Sequence, residues 1–124
     1  MNEVKSKGER IIKELLDESN IKYVYEYPLL IMERRDEEIK QRIWYPDFWL
    51  SEFGIVIEYF GMKGKKSYDE GVEHKKKTYK QLNIDLIPVY PDTLEKDYKS
   101  YILKKIQQII NSKNKIFKEN LNRN

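Results

Sequence analysis

The chain has no cysteine among its 124 residues. Disulfides, thiolate metal sites and cysteine nucleophiles are therefore excluded, and the composition fits a reducing cytoplasm. Histidine is nearly absent, with His74 alone. A lone histidine on a polar helix is as a rule simply exposed, and a histidine-rich metal site is ruled out. No apolar run approaches the roughly 18 residues of a membrane helix, so no membrane partner is expected. The opening MNEVKSKGER is charged and lacks the apolar stretch of a signal peptide. Repeats and low-complexity segments are missing too. The length suits one domain over residues 1–124, with a core over about 6–111 and a flexible tail at 112–124.

Charge is abundant but nearly balanced, at +3 net. Its distribution carries more. Residues 61–80 hold seven lysines (63, 65, 66, 75, 76, 77 and 80) against three acids (69, 70 and 73). Composition leaves two readings open, a solvated face and a phosphate-facing patch.

Hydrophobic spacing predicts a helix over 6–19, capped by Ser6, with Ile11, Ile12, Leu15 and Leu16 on one face. Residues 21–33 read as a strand, 33–41 as a polar turn, and 42–50 and 54–60 as two more strands. A second helix is predicted over 68–82 and a fourth strand over 84–90. Pro91-Asp92-Thr93 then opens a long amphipathic helix through Leu94, Tyr98, Tyr101, Ile102, Ile106, Ile109 and Ile110. Three close strands suit an antiparallel meander, and a strand reached through a helix can pair in parallel. The fold class is α/β, a mixed central sheet flanked by helices with an added C-terminal amphipathic helix.

Within this frame, YPDFWLSEFGIVIEYFG at 45–61 raises a physical problem. Alternation puts Ile55, Ile57 and Tyr59 on one face and Val56, Glu58 and Phe60 on the other, so the strand is apolar on both faces except for Glu58. A turn at 52–53 sets Asp47 opposite Glu58. Two adjacent carboxylates repel each other unless lysines or arginines pair with them or a divalent cation binds between them. Glu9 completes a capping box, Ser6-Lys7-Gly8-Glu9, and its role is either to cap the helix or to reach a metal or a water. Trp44, Tyr45 and Trp49 read as fillers of core or strand faces. Arg34 and Arg35 suit phosphate contact and solvation equally well.

YPDF…IVIEYFG resembles the core of the PD-(D/E)xK nuclease superfamily over roughly residues 6–90. The likeness is greatest to endonuclease I-type Holliday junction resolvases of phages and to helicase-associated nuclease domains with an EYFG- or EHFG-like motif. The resemblance implies a restriction-endonuclease-like αβββαβ core. It implies Glu9, Asp47 and Glu58 as catalytic acids, and Asp47, Glu58 and the Tyr59 backbone carbonyl as ligands of Mg²⁺, with Mn²⁺ able to substitute. The usual E-x-K motif reads Glu58-Tyr59-Phe60 here, with phenylalanine in the lysine position. In branches where the lysine has migrated to the following helix, the pattern Tyr68…Lys75…Tyr79…Asn83 makes Lys75 its counterpart. Lys63, Lys65, Lys66, Lys76 and Lys77 then become nucleic-acid contacts. The implied function is a structure-selective DNA endonuclease, of Holliday junction resolvase, nicking or repair type, with RNA still open and a homodimer expected for paired cuts. The alternative is a catalytically inactive nucleic-acid-binding or assembly subunit that keeps the fold.

Overall fold

A computed structural model describes residues 4–62 and 64–123. The elements run α1 (Lys7–Glu18), β1 (Val24–Tyr25), β2 (Leu29–Arg35), β3 (Glu38–Trp44), β4 (Phe48–Leu50), β5 (Ile55–Tyr59), α2 (Lys66–Gln81), β6 (Asp85–Val89), α3 (Pro91–Leu94) and α4 (Tyr98–Leu121). The chain is α/β with a mixed sheet. Its strand order is β1-β4-β5-β6, antiparallel except for the parallel β5–β6 pair. No helix among the described residues is long and apolar enough to cross a membrane.

The continuous strand expected over 21–33 is broken in two. Glu26 takes a left-handed φ of 52° and Pro28 follows it, so the ladder of β1 ends and β2 leaves in another direction. The polar turn expected at 33–41 is mostly strand. β2 and β3 form a hairpin of their own about Asp36-Glu37, with Asp36 at φ 54°. Its far end is exposed on both faces, so it has no apolar alternation to read. Opposite charges face each other across its ladder, as at Glu33↔Lys40 and Arg35↔Glu38, while Arg35 pairs with Glu33 and Lys40 with Glu38 along their own strands. The strand expected at 42–50 likewise divides at Tyr45-Pro46-Asp47 into β3 and β4.

β5 is central, with its first four residues buried. Ile55 and Ile57 point to one face, where Ile12, Leu15 and Leu16 of α1 meet Ile102 and Ile106 of α4. Val56 points to the other, where Tyr79 of α2 and Ile31 of the hairpin cover it, with Trp44 and Trp49 packed alongside. Tyr45, expected on a covered face, is instead 59% exposed. β6 is an edge strand, which tolerates Pro88 in its ladder. The single long helix expected from Pro91 is two, α3 and α4, separated at 95–97, and Asp97 caps the second by accepting the Ser100 N–H. The tail expected to be flexible is helical to Leu121.

Candidate active site

Four elements meet at the C-terminal end of β5. Carrying the β4–β5 register (Phe48↔Ile57) one residue further sets Asp47 opposite Glu58, as the turn predicted. Asp47 does not float there: its Oδ2 accepts the Tyr59 N–H at 2.7 Å. In a strand the N–H and C=O of one residue point to the same edge. The Tyr59 carbonyl thus faces the Asp47 side, while the N–H of Phe60 turns the other way, to the Val89 carbonyl at 2.8 Å.

Glu58 is 4% exposed. Its Oε1 accepts from Lys75 Nζ at 3.3 Å. Its Oε2 is buried and has no close hydrogen-bond partner among the described residues, although the Tyr79 hydroxyl acts on the same carboxylate. α2 lies across this face of the sheet and brings Lys75 over it, so the lysine selected from the helix is the one that reaches the acid. Phe60, where the usual motif has lysine, is 3% exposed and lies under the same ammonium, 5.8 Å from Nζ to the ring centroid. Phenylalanine there is part of the core and gives the lysine a π face to rest on.

Glu9 arrives from the first turn of α1. Ser6 Oγ accepts the Glu9 N–H at 3.1 Å and donates to Glu9 Oε2 at 2.8 Å, while Oε1 accepts from the Tyr25 hydroxyl at 2.5 Å. In this conformation Glu9 serves the start of α1, with both carboxylate oxygens engaged by Ser6 and Tyr25, and a role toward a metal or water requires a different rotamer. The adjacent Gly8 lets the Tyr59 ring lie flush against α1: a Cβ on Gly8 would stand 2.4 Å from the ring's Cζ. Gly61 also lies against the ring, with an equivalent Cβ 2.8 Å from Cε2.

The electrostatics follow from this crowding. Burial pushes the Asp47 carboxyl up to about 7, and the charges of Glu9 and Glu58 add to it, while the Tyr59 N–H and Lys75 act against it. Burial also raises Glu58 against the opposing pull of Lys75. Tyr68 is raised by burial and then by Asp47 and Glu58, which puts its hydroxyl in the same field. Tyr79 is raised by burial first and by Glu58 second. An excess of negative charge is thus enclosed with one ammonium.

Among the described residues, no group of three or more His, Cys, Asp or Glu could hold a metal ion. The chemistry of the donors nonetheless suits a hard cation: two carboxylates set opposite, one with a buried oxygen that lacks a close partner among the described residues, beside a backbone carbonyl.

Other expected contacts are dispersed. Lys76 pairs with Glu73 at 3.4 Å and lies over the Tyr90 ring, Lys65, Lys66 and Lys77 are exposed, and Lys63 lies outside the described residues. Arg34 is exposed. Glu33 was not anticipated. It is 5% exposed and accepts from Arg35 Nε at 2.5 Å and His74 Nε2 at 2.7 Å, with Arg42 Nε at 3.5 Å. Its position two residues after buried Ile31 was the signal, once the hairpin is seen. No family model matches the chain, and neither a curated protein nor a solved structure is significantly similar to it.

Proposed function

We propose that this chain is a metal-dependent DNA endonuclease with a restriction-endonuclease-like core, and that Lys75 replaces the lysine missing at Phe60. The observation that carries the reading is the contact of Lys75 with Glu58, opposite Asp47, from a helix otherwise separate in sequence. Lys75 engages one Glu58 oxygen and leaves the other, buried beside Tyr79, without a close partner among the described residues, and burial, with the charges of Glu9 and Glu58 added, raises the neighbouring Asp47.

Asp47, Glu58 and the Tyr59 carbonyl would hold Mg²⁺ or Mn²⁺. Once bound, such an ion polarises a phosphate oxygen and lowers the pKa of a water. The Tyr59 N–H fixes one Asp47 oxygen and so aims the other. Lys75 supplies a positive charge where negative charge builds on the phosphate, and it is held at that point by Glu58 and the Phe60 face. Glu9, released from Ser6 and Tyr25 in another rotamer, would bring a carboxylate to the rim to orient water. Lys65, Lys66, Lys76 and Lys77 on and before α2 track the backbone without reading sequence, which suits recognition by nucleic-acid structure. Paired cuts in a four-way junction require two copies, and α4 exposes Ile116, Phe117 and Leu121 near its end as an apolar surface for the second.

The test is cleavage of a four-way junction, a nicked duplex, a plain duplex and single strands with Mg²⁺ or Mn²⁺. Cutting should need the metal and fall by at least about a hundredfold in Glu58→Ala and in Lys75→Ala. Tight, salt-sensitive binding with no cutting of any substrate would instead assign the chain as the inactive binding subunit.

A further inference from the structure

The hairpin β2–β3 and the helix α2 meet at a second charged centre that the site above does not use. Glu33, buried on the inner face of the hairpin, is approached by three basic groups: Arg35 on the same strand, Arg42 on the facing strand and His74 on α2. One carboxylate neutralises one cation. Two arginines on Glu33 leave at least one positive charge over. The arginines are not buried with it, their side chains being 66% and 51% exposed. Both reach Glu33 through Nε, an approach that leaves the terminal nitrogens of each guanidinium as donors for another anion. Lys40 stands opposite Glu33 in the ladder, and Lys77 follows His74 by one turn on the exposed side of α2. Lys40 is itself answered by Glu38 at 3.8 Å, so the surplus resides on the arginines.

We infer that Glu33 is an organiser, and that Arg35 and Arg42 form a cradle for a backbone phosphate of a DNA strand. An interior acid that holds two guanidiniums in place removes part of the side-chain entropy their binding would otherwise cost, and a phosphodiester is the anion a guanidinium fork fits best. The location agrees. His74 and Lys75 are consecutive on α2 and point about 100° apart. His74 therefore turns to the cradle while Lys75 turns to Glu58. A strand that crosses α2 from the candidate active site runs onto the hairpin, where the cradle takes a phosphate other than the one being cut. The inference rests on the nuclease reading for its substrate, but it is a claim about binding alone.

It is tested by fluorescence anisotropy with a labelled DNA duplex in EDTA, where no cutting intervenes, between 50 and 200 mM salt. Arg35→Ala/Arg42→Ala should weaken binding about tenfold or more and reduce the slope of log K against log salt by about one, the single phosphate the cradle holds. Arg35→Lys/Arg42→Lys should recover most of the slope. If the double variant does not fold, Arg35→Ala alone, at the more exposed position, should lower the slope in the same direction by less than about one. A wild-type chain that binds and cuts DNA while the alanine variants keep its affinity and slope overturns the cradle and leaves the nuclease standing. Arginine-dependent binding by a chain that cuts nothing supports the cradle and removes the nuclease. Displacement of the arginine contacts by polyglutamate but not by duplex would overturn the cradle in favour of an acidic protein partner, and no binding of DNA at all would overturn both readings.

Discussion

An ionised Asp47 costs the fold stability, and Asp47→Asn should reveal how much. The amide retains an oxygen to accept the Tyr59 N–H but carries no charge beside Glu9 and Glu58. Burial and those neighbours lift the folded-state pKa from 3.8 to about 7. Each unit of difference corresponds to about 1.4 kcal/mol, so the ionised carboxylate costs the metal-free fold about 4 kcal/mol above pH 7. The sign follows from proton binding. Between the unfolded pKa and about 7 the folded chain binds more protons than the unfolded one, so wild-type stability falls as pH rises through that window. Below pH 4 both states are protonated and the cost is gone. Urea unfolding in EDTA from pH 4 to 8 should therefore show Asp47→Asn gaining on wild type by about 1.4 kcal/mol per pH unit, with a plateau above pH 7. Divalent metal should stabilise wild type at pH 8 and not the variant. A variant less stable than wild type at pH 8, or a difference that does not change with pH, would refute the crowding of charge at this site.

Gly8→Ala should destabilise the fold by about 1–3 kcal/mol in urea unfolding, although alanine favours helix, because its methyl meets the Tyr59 ring, which Gly61 also packs against; the same variant should lose cleavage with Glu9 displaced. Ile31→Ala, which empties a fully buried position between hairpin and sheet, should cost about 2–5 kcal/mol by the same measurement. Phe117→Asp, at a position 64% exposed near the end of α4, should leave the unfolding midpoint within about 0.5 kcal/mol of wild type but convert any dimer to monomer in sedimentation.

Where the candidate site is local, the sequence was enough. Ser6 caps α1 as expected and holds Glu9 at its start, because an N-cap needs only its own first turn, although the Glu9 carboxylate bonds the Ser6 hydroxyl and not the Ser6 N–H of a full capping box. The apolar run around Glu58 marked a central strand, because only a strand covered on both faces is apolar at every other position as well. The turn between β4 and β5 then set Asp47 against Glu58, since a hairpin's register follows from its turn. The choice of Lys75 among three consecutive lysines came from resemblance, and helix geometry agrees with it, because neighbours on a helix diverge by about 100°.

Tertiary structure decided the rest, for reasons composition does not carry. Glu26, a residue with no intrinsic preference for left-handed backbone, takes φ 52° with its N–H on the Asp47 carbonyl at 3.1 Å, and with Pro28 behind it the first strand divides. The polar hairpin looked like a loop because burial, the source of alternation, is missing from its outer half. Glu33 looked like one more surface acid until β2 was laid on α2, where a carboxylate two residues from Ile31 must go inward and find cations from both. Which residues form helix and strand where apolar periodicity or a cap is strong, as in α1 and β5, and which acids stand near one another across a short turn, are matters of nearest neighbours along the chain. Which cation each buried acid receives depends on elements that meet only when the sheet is covered, and that was settled by packing.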